Sequence, residues 1–325
     1  MARNRSLEDA FEKLGRLRSG RVTAEATAEL RAGLQSKSAH VAARAAEIVG
    51  ELQISALVRE LASAFERCLP NGVKADPGCV AKTAIVEALD HLGAREDEVF
   101  LRGIRTVQLE PVWGGKADTA VALRGASAFA LVNTGCHDIL TPLAELLADA
   151  EPRARGAAAR AIAAASDPAG IPLLRLKALV GDPEPEVLSD CFGALLEMAP
   201  AESTQFMARF LGSDAVQTRE AAALALGSSR RPEAFPVLRA AWEESREDDA
   251  RRTLLLAMAM LKVDPALEYL LALIAEAPGP TARLAIAALE IHRYDDALIE
   301  RVRSAAKRDD ADLRSALEAA FPAAR

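Results

Sequence analysis

Two series of residues share one spacing in this chain. Pro168, Pro200, Pro232 and Pro265 stand 32, 32 and 33 residues apart. Arg155, Arg219, Arg251, Arg283 and Arg314 follow in steps of 64, 32, 32 and 31, with Val187 in the slot that the long step skips. Two independent ladders of one period mark a structural unit repeated from about Arg124 to Arg314.

The unit from Pro200 to Pro232 reads as a pair of helices. Phe206, Met207, Phe210 and Leu211 recur at helical spacing over Ala201 to Leu211, and Gly212-Ser213-Asp214 interrupts them. A second helix then runs through Arg219, Ala222, Ala223, Ala225 and Leu226. Asp214 or a nearby polar group is placed to cap its free amides, and Gly227 to end it in a left-handed conformation. The neighbouring units repeat this grammar, from Leu173 to Met198 and from Val237 to Leu261. Pro142, Pro172 and Pro236 fall in the first turns of first helices, where a missing amide costs nothing. Such a pair cannot bury its own apolar stripe and must lean on the next, which predicts an all-α stack of about nine antiparallel helix pairs. No alternating apolar segment predicts a strand.

The pattern of Asp, then Val with Arg, then Ala-Ala-x-Ala-Leu-Gly, as it stands in Asp214 to Gly227, resembles the HEAT-repeat family, and within it the short bacterial HEAT-like repeats of the phycobilisome-lyase type. The resemblance implies a right-handed α-solenoid and a habit of binding protein partners. It also implies an Asp–Arg ladder between repeats, which fits Asp182, Asp214, Arg219 and Arg251; Val187 departs from it. Di-iron members of the wider family carry repeated His-Glu pairs; the four histidines here precede Val, Leu, Asp and Arg.

One continuous solenoid is expected over 1–325: an N-terminal capping helix at 1–22, irregular repeats at 23–133, regular repeats at 134–293 and a C-terminal capping repeat at 294–325. The N-terminal segment holds Arg3, Arg5, Lys13, Arg16, Arg18 and Arg21 against Glu8, Asp9 and Glu12, with Leu7, Phe11, Leu14 and Leu17 as its apolar stripe. The net charge of -7 argues against a general nucleic-acid binder, which needs a strong positive field. No apolar run follows Met1, so neither a secretion signal nor a membrane span is expected and the location is taken as cytoplasmic. Cys68, Cys79, Cys136 and Cys191 are widely spaced within helical patterns, which predicts reduced thiols rather than a disulfide framework or zinc site.

The early repeats are broken in two places. A first pair, Ala24 to Leu34 and Val41 to Gly50, is ordinary. The next has a long connection over 70–77, containing Pro-Asn-Gly-Val-Lys-Ala, and the third has one over 105–118, containing Gln108, Glu110, Pro111, Trp113 and Gly114-Gly115. Both lie between the first and second helix of their pair. In a solenoid such turns share one edge and successive repeats are roughly 10 Å apart, so the two connections should touch. They would bring Lys74, Asp76, Cys79 and Lys82 beside Gln108, Glu110, Trp113, Asp118 and Arg124, and this cluster is the candidate partner-binding site. Asp76 before Pro77 and Asp118 before Thr119 also read as helix N-caps, and Cys79 follows a helix start, where a thiolate would be favoured. Cys136-His137-Asp138 reads as a turn with Asp138 as cap.

Arg44, Lys82, Arg124, Arg155, Arg160, Arg219, Arg251, Arg252 and Arg283 lie on second helices. Pointing into the concavity they would form a basic stripe suited to an acidic peptide or phosphate; pointing into the stack, an internal Asp–Arg ladder. No acid–base or nucleophile arrangement is evident, and neither a cofactor nor a metal is implied. The chain is therefore read as a non-enzymatic scaffold that holds a protein or peptide partner on the concave face of the solenoid and on the edge formed by the two long connections. The alternatives are a chromophore-handling protein of the phycobilisome-lyase type, with Cys79 or Asp118 reactive, and a HEAT-like DNA glycosylase.

Overall fold

The computed structural model describes residues 11–18, 22–307 and 310–322. Contacts divide the chain into two compact units, Met1–Leu173 and Leu174–Arg325. The protein is all-α, with one small hairpin. Among the described residues no helix is long and apolar enough to cross a membrane.

In the first unit residues 11–18 form α1, whose Leu14 is buried and lies over Gly33. Arg3, Arg5, Leu7, Glu8, Asp9 and Arg21 of the expected cap lie outside the described residues. The pairs that follow are α2 (Ala24–Leu34) with α3 (Ala39–Glu51), and α4 (Val58–Cys68) with α6 (Val80–His91), which carries the single turn α5 (Gly72–Ala75) in its connection. Next come α7 (Asp97–Ile104) with α8 (Val121–Asn133), and α9 (Leu140–Leu147) with α10 (Pro152–Ala165). Second helices pack side by side in the order α3, α6, α8, α10, and first helices do the same more loosely.

The second unit continues the pairing with α11 (Ile171–Val180), α12 (Pro185–Met198), α13 (Pro200–Ala208), α14 (Val216–Ser228), α15 (Ala234–Glu244), α16 (Asp248–Leu261), α17 (Asp264–Glu276), α18 (Gly279–Leu289), α19 (Asp296–Ala305) and α20 (Ala311–Ala320). One apolar core runs through it from Ala178 to Phe321. Alanine is what lets the second helices approach so closely, and Gly227 takes this furthest. A Cβ there would stand 2.6 Å from Ala257 O, so α14 and α16 meet backbone to backbone. Gly227 therefore lies inside α14 as a contact glycine and does not end the helix in a left-handed turn as expected. Asp214 is exposed and caps nothing; Ala215 precedes α14 without a side-chain cap.

The arginine series has a structural reason. Arg124, Arg155 and Arg219 sit in the first turns of second helices and reach back to the turn of their own pair. Arg124 donates to Thr106 O at 2.9 Å, Arg155 to Asp149 O at 2.9 Å and Arg219 to Ser213 O at 2.8 Å. Three then cross to an acid in the following pair: Arg124 to Asp149 at 3.0 Å, Arg219 to Glu247 at 2.5 Å and Arg283 to Asp312 at 3.6 Å. Arg124, Arg219 and Arg283 thus link one turn to the next, as in the ladder reading, with a glutamate as the acid at Arg219; Arg251 departs from it and lies over the Trp242 ring at 4.6 Å, and Asp182 pairs instead with Lys177 at 2.7 Å.

Candidate partner-binding site

The two long connections of the first unit meet. The first is not a plain loop. Asn71 takes a left-handed conformation (φ 54°) and launches α5, and Gly78 (φ 74°) and Cys79 (φ 54°) are consecutive left-handed residues. That double bend folds Asp76 back under the start of α6, where its Oδ1 accepts from Ala81 N at 2.8 Å and its Oδ2 from Lys82 N at 3.0 Å. Asp76 therefore caps the helix from a distance, satisfying amides that would otherwise be orphaned.

The second connection is a β-hairpin where the sequence predicts a loop. β1 (Leu109–Val112) pairs antiparallel with β2 (Gly115–Asp118), Val112 opposite Gly115. Trp113-Gly114 make the two-residue turn, and Gly114 supplies the positive φ of 89° that such a turn needs. The two strands have no buried face. That is why no apolar alternation announces them.

Gln108 at the hairpin's root joins the connections. Its Nε2 donates to Asp76 O at 2.8 Å and to Glu110 Oε1 at 2.7 Å, and its Oε1 accepts from Lys82 Nζ at 3.0 Å. The Lys82 ammonium also lies 3.1 Å from Asp76 Oδ2 and 3.4 Å from Cys68 O, so its three protons have three acceptors. Glu110 Oε1 in turn accepts from Gly78 N at 2.6 Å and Thr119 Oγ1 at 2.7 Å. The approach is close: a Cβ on Gly72 would stand 2.3 Å from Gln108 Oε1.

A second charged group closes the far side. Asp118 Oδ1 accepts from the amides of Gln108 (3.1 Å) and Ala120 (2.9 Å), and its Oδ2 lies 2.7 Å from Arg124 Nη1. Arg124 is buried and also faces Asp149, whose Oδ2 is 2.9 Å from Nε. Burial would raise the Asp118 carboxyl, but the two amides and the guanidinium outweigh it and hold the group below its ordinary value. Glu110 is likewise lowered, first by Gln108 and then by the Gly78 amide and Thr119.

Seven of the nine candidate residues thus form one network, yet most are closed to a ligand. Asp76, Cys79, Lys82, Gln108 and Arg124 are buried and Asp118 nearly so. Their polar atoms are spent on holding the two connections together. Lys74 is exposed on α5, and Trp113 stands at the hairpin tip with its side chain wholly exposed, at 101%. Cys79 is buried, and burial pushes its thiol up, away from the thiolate, with Lys82 pulling back and Asp76 adding to the rise. The residues that the sequence reading missed are Thr119 and Asp149, which complete the network, and the exposed apolar side chains Val107, Leu109 and Val112 around the hairpin.

At the other edge, Asp138 accepts from Thr141 Oγ1 at 2.8 Å rather than capping an amide. Among the described residues no group of three His, Cys, Asp or Glu could hold a metal.

Against known proteins, the family model of HEAT repeats matches residues 174–259 and 211–290. Residues 174–290 of the second unit thus carry HEAT repeats. Similar solved structures include Kap121p, at 14% identity and a TM-score of 0.44 over 90% of this chain and 41% of that one. Kap95p bound to RanGDP is similar at 14% identity and 0.40, over 92% and 50%. The complex of CpcE and CpcF of phycocyanin lyase from Nostoc sp. PCC7120 is similar at 18% identity and 0.33, over 88% and 96%. This chain thus spans about two fifths of Kap121p. No curated protein matches it in sequence.

Proposed function

We propose that the first unit is a protein-binding module whose contact point is the β1–β2 hairpin. The observation that carries the reading is the contrast between its two ends: a root fixed by a network of buried hydrogen-bonding groups and a tip that offers a bare indole. Trp113 has Val112, exposed at 50%, beside it, with Leu109 further down the hairpin. Large aromatic side chains on rigid supports are what interface hot spots are made of, because ordering them on binding costs little. Pro111 lacks an amide and blunts the β1 edge, so side chains rather than added strand pairing carry recognition.

The chromophore-handling alternative needs a reactive Cys79 or Asp118. One is sealed in the core and the other is bound to Arg124 and two amides, so binding is the better-supported reading. The test is affinity capture from a lysate of the source organism with wild-type and Trp113→Ala chains, with a photo-crosslinker at position 113 to mark the captured partner. Capture lost at an unchanged melting temperature supports the reading. Capture by the variant equal to wild type rejects it.

A further inference from the structure

Where the hairpin is rooted, an open groove of about 720 Å³ begins, crossing the exposed face of α3 and α6. The two helices present matching stripes to it. On α3 these are His40, Ala43, Arg44 and Glu47, and on α6 Val80, Thr83, Ala84 and Glu87, each set at i, i+3, i+4, i+7. Ala43, Ala84 and, from α8, Ala122 keep the floor shallow, and Gly78, whose amide Glu110 holds, lies at one end. The groove thus adjoins the proposed contact point.

The polar atoms that line it are unequal in kind. Arg44 is already committed, its Nη1 lying 2.8 Å from Glu47 Oε2. The Thr83 hydroxyl sends its one proton to Cys79 O at 2.7 Å, so it has only acceptor lone pairs left. Glu87 makes no hydrogen bond or ion pair with any described residue. Its carboxyl lies above its ordinary value because the surrounding protein strips it of water; Glu47 adds to the rise and His91 offsets part of it. The buried Lys82 and Arg124, which could have made this face basic, point into the stack. Arg44 and Glu47 offset each other's charge, which leaves the Glu87 carboxylate as the unpaired charge of the groove, and a cationic donor is the group that matches it.

We infer that this groove takes a basic side chain, a lysine or arginine of the protein that docks on the hairpin, with Glu87 as its counter-ion and Thr83 as a second acceptor. The inference rests on the hairpin reading for the identity of the partner and on the groove's own chemistry for the class of side chain. A charge-assisted hydrogen bond to a carboxylate is short and directional, and a guanidinium fits it better than a neutral donor.

The probe is acetyl-Gly-Arg-Gly-amide, with acetyl-Gly-Glu-Gly-amide as control, titrated into the ¹⁵N-labelled full chain. The expected result is saturable amide shifts confined to the neighbourhood of Ala43, Thr83, Ala84 and Glu87 with the arginine peptide and none with the glutamate peptide. Glu87→Gln, at an exposed position, should fold normally and weaken the arginine peptide by about tenfold, and Glu87→Arg should exchange the preference. Equal shifts with both peptides, shifts spread over surface carboxylates generally, or an unchanged dissociation constant in Glu87→Gln would overturn the inference. Trp113→Ala should leave this titration unaltered, so a failed groove and a failed hairpin contact give different results.

Discussion

Lys82 Nζ and Asp76 Oδ2 face each other at 3.1 Å with neither side chain open to water. The pair joins the start of α6 to the connection before it, and through Gln108 to the hairpin. A buried ion pair is weak evidence of net stabilisation, because desolvating two charges offsets much of their attraction, but removing one partner leaves the other stranded.

Asp76→Ala should therefore be among the most damaging single changes in the first unit. It removes the acceptor for Lys82 and for two first-turn amides of α6, and should lower the unfolding free energy by about 3–5 kcal/mol. Adding Lys82→Met should recover part of that loss. Urea unfolding of the two single variants and the double variant measures the coupling; a double variant as unstable as the sum of the singles would contradict the pairing.

Acid should weaken the same region through Asp118. Its folded value is held below the ordinary 3.8, so its contribution to stability is complete above that value and is lost as the pH falls through the lower, folded one. Asp118→Asn should be less stable than wild type at neutral pH, with the gap closing below about pH 4. Unfolding free energies taken from pH 7 to pH 2 decide this, and a gap independent of pH would show that the carboxylate is not held as described.

The thiols should sort by burial. Cys68, Cys79 and Cys191 are buried, and burial pushes Cys191 up to about 12, whereas Cys136 lies partly exposed in the turn before α9. Iodoacetamide at pH 8 followed by peptide mapping should mark Cys136 well before the other three. Rapid labelling of Cys79 in the folded chain would revive a reactive role for it.

Two glycines in second helices should respond in opposite ways to alanine. At Gly227 the added Cβ meets Ala257 O at 2.6 Å and Ala257 Cα at 2.8 Å, both backbone, so α14 and α16 must separate at a cost of about 1–3 kcal/mol. At Gly193 the Cβ meets open space, and the gain in helix propensity should stabilise α12 by about 0.5–1 kcal/mol. Melting temperatures of the two variants test the contrast.

Much of this was legible in the residues because it depends on period. The helix pairs follow from apolar spacing, and the meeting of the segments around Lys74 and Gln108 follows from their common place within successive pairs. What stayed hidden depended on direction. Nothing in the spacing says whether Arg124 faces a groove or the turns beside it, and Asp149, the partner that decides this, lies in the next pair along. The hairpin escaped notice because it buries neither face. Gly227 read as a helix end because glycine is common there, whereas a close backbone contact leaves the same letter. Glu87 looked like any solvated charge, and only the side-by-side stripes of α3 and α6 show that it has no partner.

Gly72 and Gln108 meet so closely that even a Cβ on the glycine would stand 2.3 Å from Gln108 Oε1, and that side chain is itself held by Asp76, Lys82 and Glu110. Lengthening one of the two insertions by a residue would pull its half of the network out of register with the other. In evolution the pair should then behave as a single heritable cassette, present together, absent together and matched in length, and anyone transplanting the hairpin onto another repeat array would have to move the preceding insertion with it.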